Sequence, residues 1–522
     1  MTCLRRSLLP AALLAAAALL PAGCFVLRPN AGGSQTSAAD AKATKAGART
    51  INPADVSLPA GYAIAPVATG LTYPTAVAVD DAGTAYVAEA GYSYGEDFAP
   101  PRLLRVTPDG RTQEVARGDV RDGMSNGPWT GVALAGGAAY VCEGGVRDGG
   151  RLLRIDLRSG AVTTLVDGLP TLGDHHTNGP VARDGFLYFG VGSATNSGVV
   201  GPDNARYGWL KRRPDFHDVP PRDVTLAGVN YTSDNPLTPD ANDKATTGAF
   251  VPFGTPTTPG QVIKGRMPCN GAVLRVPSPQ AGDGGGGGAT TRPASDLQLV
   301  AWGLRNPYGL AFAGDGRLLV VEHSYDVRGS RPAWGTGDLL WAIDPAKPPL
   351  WHGWPDYHGQ DRMADNPGHY RPPGGEAPKP LLANRPNDPP APLAYLGVHA
   401  GASGADVSRS EKFGHAGDAF VAQFGDLTPG VGKLLAPVGF KVVHVDVTTG
   451  VVYDFAVNRG KSNGPASKLG TGGLERPVAC RFDPTGDALY VVDFGVLKTD
   501  ADGKEHPARN TGVLWRVTRA AR

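Results

Sequence analysis

The stretch Gly309-Leu-Ala-Phe-Ala-Gly-Asp-Gly-Arg-Leu-Leu-Val-Val-Glu322 contains the unit from which the chain is built. An apolar run, GLAFA, meets a Gly-Asp-Gly turn, and a second run, RLLVVE, leaves it. Short runs of branched and aromatic residues bounded by Gly and Asp read as strands joined by a tight turn. Related runs stand at Thr84 (TAYVAE), Ala138 (AAYVCE), Phe186 (FLYFGV), Asp418 (DAFVAQ) and Asp487 (DALYVV). A further strand follows each one, at Arg102, Arg151, Ala272, Asp338, Lys441 and Gly512. One such unit cannot bury its own faces, so a repeat of this kind means stacked units. Six copies predict an all-β chain folded as a six-bladed β-propeller with long loop insertions. The last copy is one strand short, and the early run YAIAPVA at Tyr62 is expected to pair there and close the ring.

Composition agrees with this reading. The 522 residues include 73 Gly and 47 Pro, which suits many turns and few long helices. A formal net charge of +1 with no basic block argues against nucleic acid as a partner.

The N-terminus reads as a processing signal. Arg5 and Arg6 precede the apolar stretch Leu8 to Gly23, which is too short for a membrane span. Cys24 follows, as the lipid-modified cysteine does in bacterial lipoproteins, although Pro21 stands where an aliphatic residue is usual. The alternative is an ordinary cleaved signal peptide. The Arg5-Arg6 start also loosely resembles a twin-arginine signal. The expected organisation is a signal with lipobox over 1–24, a flexible tether over 25–55 and the propeller over 56–522. That places the protein outside the cytoplasm, in the periplasm or cell envelope, touching membrane only through the Cys24 anchor.

Two insertions break the repeat. Residues between Gly192 and Ala272 carry Tyr207, Trp209, Phe216 and Phe253, which predict a packed cap. The other runs from Trp351 through a Pro- and Gly-rich segment to Pro378. Cys142 and Cys480 fall in or beside apolar strands and read as inert core residues.

Two segments carry candidate chemistry. In Gly173-Asp-His-His-Thr-Asn-Gly-Pro-Val181, adjacent histidines precede a strand. Neighbours on a strand point apart, so one of the two is expected to face the channel, where imidazole can move a proton near neutrality. In Gly303-Leu-Arg-Asn-Pro-Tyr-Gly-Leu-Ala-Phe312, a guanidinium beside a carboxamide suits a planar ligand bearing carboxylates or carbonyls. The bland reading makes these a pair of loop histidines and an arginine tying two blades together. Backbone carbonyls of Glu322-His-Ser-Tyr-Asp326 suit a hard cation such as Ca²⁺.

Together, His176-Thr-Asn-Gly179, the Arg305-Asn306-Pro307 motif and Gly353-Trp354-Pro355 resemble the glucose/sorbosone dehydrogenase family, in its sorbosone-dehydrogenase-like branch. These are soluble pyrroloquinoline quinone (PQQ)-dependent sugar dehydrogenases on six-bladed propellers, and the resemblance covers the chain from about Tyr62. It implies His176 as general base, Arg305 and Asn306 at the quinone oxygens, and Arg476 at a cofactor carboxylate. It also implies Ca²⁺ held by the backbone carbonyls of Ser324 and Tyr325. Three positions depart from the pattern. Ser193 replaces the carboxylate that orients the base, and Leu474 replaces a basic partner of Arg476. The cofactor lysine of blade five has Gly425 or Asp426 in register, leaving Lys433 or Lys441 as substitutes. The function so implied is oxidation of an aldose or related sugar, passing electrons to an external acceptor. The alternatives are a non-catalytic carbohydrate- or protein-binding propeller and a metal-dependent lactonase.

Overall fold

The computed structural model describes residues 49–90, 99–205, 208–279, 291–432 and 434–519. The signal segment, Cys24, most of the expected tether, Tyr207 and Lys433 lie outside these residues.

Six antiparallel sheets of four meandering strands form the blades. Their inner strands are Pro74–Val79, Trp129–Ala135, Thr177–Arg183, Asn306–Phe312, Ala402–Val407 and Pro477–Phe482. Each of these packs on the next, and the sixth returns to the first, so the ring is closed. Tyr62–Leu71 pairs antiparallel with Gly512–Arg519, completing blade six from both ends of the described chain. The pairing expected at Tyr62 is therefore present.

Burial alternation explains why the blades stack. Both faces of a middle strand are covered, so Ala85–Glu89, Ala138–Glu143 and Ala488–Asp493 are buried along their whole length. Apolar clusters fill the gaps between neighbouring blades. Tyr188, Leu310, Val320 and Trp341 join blades three and four, while Phe420, Cys480, Val491 and Trp515 join five and six. Near the axis the inner strands approach too closely for side chains. A Cβ on Gly131 would meet the Gly179 carbonyl oxygen at 2.1 Å, and one on Gly309 would meet that of Ser403 at 2.1 Å. Cys142, Cys269 and Cys480 are all buried and free. Burial pushes the Cys269 and Cys480 thiols up to about 12, consistent with inert core packing.

The two insertions fold into one cap. Leu226 bridges to Leu382, and Leu226, Phe250, Trp354, Met363 and Leu382 share one core cluster with blade three. Arg331 pins this cap from beneath. Fully enclosed, it donates to the carbonyls of Ser197, Pro355 and Lys379 and pairs with Asp356 at 2.9 Å. Trp209 and Phe216 are buried in the cap as predicted, with Phe253 packed beside Phe216.

The expected tether ends earlier than residue 55. The buried Arg49 guanidinium donates to the carbonyls of Thr511 and Gly473 and pairs with Asp493 at 2.6 Å. Asp55 accepts from the Gly472 N–H, and Val56–Ser57 adds a fifth strand to blade five. These contacts make 49–55 part of the propeller. Among the described residues no helix is long and apolar enough to cross a membrane.

Candidate functional site

A cavity of about 410 Å³ opens at the end of the ring where the inner strands begin, and residues from all six blades line it. Its walls differ in kind. Blades three and four present His175, His176, Asn178, Arg305, Asn306 and His323, with four aspartates and Arg328. Blades five and six present mainly Phe424, Leu427, Val431, Val478 and Phe494, with Ser403, Glu505 and His399 (from the loop entering blade five) between them.

Along the polar wall a chain of hydrogen bonds joins three blades. Asn178 Nδ2 donates to Asn306 Oδ1 at 2.9 Å, and Asn306 Nδ2 donates to His323 Nδ1 at 2.9 Å. An amide N–H can only donate, so His323 Nδ1 is unprotonated and its proton sits on Nε2, towards Ser403 Oγ at 3.5 Å. Tyr308 stacks on this imidazole at 5.1 Å. Sequence reading passed over His323, although it lies inside the quoted EHSYD segment. The signal was its place one residue after Glu322, which points away from the cavity, since successive strand residues face opposite ways. Glu322 itself accepts from the Arg305 N–H and the Trp341 indole, and burial raises it to about 7.

Both adjacent histidines line the cavity, contrary to the expectation that only one would. The turn before the inner strand leaves them short of regular strand geometry. His175 Nδ1 lies 2.8 Å from the Ser193 carbonyl oxygen, so that nitrogen carries the proton and Nε2 is an acceptor. Ser193, which stands in place of the orienting carboxylate, thus holds His175. Burial lowers His176 from 6.5 to about 3 and takes His175 well below its ordinary value, so both are neutral at pH 7.

The charges form a buried network. Arg305 donates to Asn196 O and Asn196 Oδ1 and pairs with Asp326 at 2.7 Å. Arg328 pairs with Asp174 at 2.7 Å, Asp203 at 2.8 Å and Asp326 at 3.1 Å. Burial raises Asp174 to about 6. It also opposes ionisation of Asp326, but Arg305 and Arg328 prevail and hold that carboxyl below its usual range. The lining carries five carboxylates (Asp174, Asp203, Asp326, Asp338, Glu505) against these two guanidiniums.

Three predicted ligands lie elsewhere. Arg476 is buried between blades five and six, donating to the carbonyls of Phe424, Gly425, Asp426 and Leu497. Its guanidinium sits over the rings of Phe424 and Phe440 at 4.9 and 5.0 Å. It ties two blades together and is absent from the lining. Lys441 pairs with Asp454 at 2.5 Å on a partly exposed strand, away from the cavity. Tyr325 is buried under the cap. Its hydroxyl donates to Tyr357 O and its carbonyl accepts from Thr336, so Ser324 alone of that pair reaches the wall.

No protein-family model matches the sequence, and no curated protein matches it. Solved structures do resemble it. The calcium structure of Trichoderma reesei Carbohydrate-Active Enzymes Family AA12 is 14% identical with a TM-score of 0.51, over 91% of this chain and 100% of that one. The PQQ-bound aldose sugar dehydrogenase of Streptomyces coelicolor is 17% identical with a TM-score of 0.47, over 88% of this chain and 100% of that one. The holo PQQ domain of pyranose dehydrogenase from Coprinopsis cinerea is 14% identical with a TM-score of 0.47, over 89% and 97%. The class that the fold and site define is a closed six-bladed propeller with an open cavity at one mouth. At these identities the likeness is one of fold, and function rests on the site.

Proposed function

We propose that the protein is an exported quinoprotein that oxidises an aldose or related sugar. The observation that carries this reading is the convergence of His176, Asn306 and Arg305 on one wall of a cavity whose other wall is mostly apolar. The residues fit a planar quinone in its ring and carbonyl edge: donors line one side, and Phe424, Phe494 and Val478 offer a dry face on the other. The basic residues implied for its carboxylates are not there, leaving Arg305 and Arg328 as the cations that would face it. The surplus of carboxylates favours a divalent cation beside it, with Asp326 and the Ser324 carbonyl as candidate ligands for Ca²⁺.

PQQ, when bound, supplies a two-electron acceptor for hydride. His176, neutral and enclosed, accepts the proton of the substrate hydroxyl at a ring nitrogen as the C–H bond breaks. The Asn178–Asn306–His323 chain fixes the amide of Asn306, so its orientation does not have to be found during the reaction. The apolar wall keeps water away from the donors. One observation favours a second assignment, His175 as the base: its Nδ1–H is committed to Ser193, which leaves Nε2 as an oriented acceptor. Purified protein supplied with PQQ and Ca²⁺ should reduce dye in the presence of aldoses. Absence of calorimetric PQQ binding would end the quinoprotein reading and leave a binding propeller. The export reading rests on the apolar segment before Cys24, and Cys24→Ser should abolish lipid labelling.

A further inference from the structure

The end of blade five opposite the cavity carries a separate cluster. Asp418 directly precedes the strand Ala419–Gln423, at the end where Val407 pairs with Ala419, whereas Ser403 at the other end faces the cavity. His444, on the neighbouring strand, places Nδ1 at 3.0 Å from Asp418 Oδ2, and His415 places Nδ1 at 3.5 Å from the same oxygen. Among the described residues this is the one group in which three His, Cys, Asp or Glu donors lie within 4.8 Å of one another.

The three side chains are held before any ligand arrives. The His444 ring lies between Tyr453 at 4.9 Å and Phe420 at 5.8 Å, nearly parallel to both. His415 sits in a tight loop at φ 54, anchored by the fully buried Phe413 on one side and by the Asp418 N–H to its own carbonyl on the other. The two imidazoles face each other at 4.3 Å. Access remains, because the His415 side chain is 32% exposed and that of Asp418 21%. Arg519 is the cation nearby: it bonds the Phe413 carbonyl at 3.4 Å and lies over Tyr62.

We propose that His415, Asp418 and His444 form a binding site for a transition-metal dication. Two imidazole nitrogens and one carboxylate oxygen are the donor set of a three-ligand zinc site whose fourth position is left to water. Oxygen-seeking Ca²⁺ and Mg²⁺ suit it poorly, while Cu²⁺ should compete well with Zn²⁺. The site joins a loop to two strands of one blade, so an ion there would fasten the blade-five edge beside the Tyr62 seam. It stands apart from the cavity and is independent of its reading.

The test uses the full-length protein, dialysed against a chelator and titrated with Zn²⁺ by calorimetry and by competition with a chromophoric indicator. One equivalent should bind, and the melting temperature should rise by a few degrees in excess Zn²⁺. His415→Ala and Asp418→Asn should each weaken binding by roughly tenfold or more. Asp418→Asn keeps an oxygen for His444, so its melt without metal should match the wild type and separate lost ligation from lost folding. No stoichiometric binding by the wild type, or equal Zn²⁺ affinity in the wild type and both variants, would overturn the proposal.

Discussion

The two walls of the cavity are built on the same strand positions of the same repeating unit, yet they differ in almost every physical property. Blades three and four hold imidazoles, amides and a buried net of aspartates and arginines, whereas on the side of blades five and six Phe424, Leu427, Val431, Val478 and Phe494 outnumber His399, Ser403 and Glu505. Near-symmetric scaffolding therefore does not distribute chemistry symmetrically. The polar wall lies beneath the cap, which supplies partners such as Asn196, Asp203 and Asp218 that can satisfy groups a bare blade would leave unpaired. Polarity has collected where the insertions can support it.

Several experiments can break or sharpen that contrast. The largest effect is expected at His176. His176→Gln should lower sugar-dependent dye reduction of the PQQ-loaded protein by roughly 10²–10⁴-fold while leaving the melt nearly unchanged. If His175→Gln is the more damaging variant instead, the Ser193-held imidazole is the base.

Next comes the charge network. Arg305→Ala leaves Asp326 buried with one partner fewer, and removing half of such a pair costs about 3–5 kcal/mol in urea unfolding. A change of less than ~1 kcal/mol would mean that the network does not bear on stability.

A third test is pH. Between the ordinary 6.5 and the lowered value of about 3, the unfolded chain protonates His176 and the folded chain does not. Stability must then fall as pH falls through that window, by about 1.4 kcal/mol per pH unit for this one group. His176→Gln should accordingly lose less stability than the wild type when acidified from pH 6.5 to 5. The raised Asp174 runs the other way, since its folded form keeps a proton up to about pH 6 and loses that contribution as pH climbs. The difference between the two proteins is therefore the quantity to measure.

The smallest effect belongs to the apolar wall. Phe494→Leu should cost about 1 kcal/mol, with no change in the pH profile, because it removes apolar contact with the Tyr73 and Phe424 rings and no charge. A pH-dependent loss would show that the two walls are not independent.

Much of this was legible in the chain because it is written in period and turn chemistry. Blade count, the Tyr62 closure and the aromatic cap follow from runs and punctuation of a kind that survives in local sequence, whereas the shared mouth of His176, Arg305 and Asn306 is what the motif resemblance implies. What failed depends on contacts across long separations. Arg476 looks the same in sequence whether it faces a cavity or four carbonyls, and its partners at Phe424 and Leu497 decide which. Lys441 is offered by the sequence only as a substitute for a lysine missing from register, and Asp454 on the next strand removes it. Arg328 and its three aspartates went unremarked, since nothing in the spacing of Asp174, Asp203 and Asp326 signals that one guanidinium gathers them.

The pairing of Tyr62–Leu71 with Gly512–Arg519 sets a timetable for the chain. During synthesis the first of these strands emerges early and must wait, edge bare, until Gly512–Arg519 has been made. Blades one to five can assemble as they arrive, but the circle stays open, and each inner strand next to the gap lacks one neighbour. A ribosome stalled shortly before Gly512 would hold five assembled blades with two unpaired flanks, the form in which strands are most prone to pair with the wrong chain. Once the last strand docks, neither end can peel away without opening the whole ring. Resistance to proteases should therefore arrive abruptly, with the Gly512–Arg519 strand, rather than growing blade by blade.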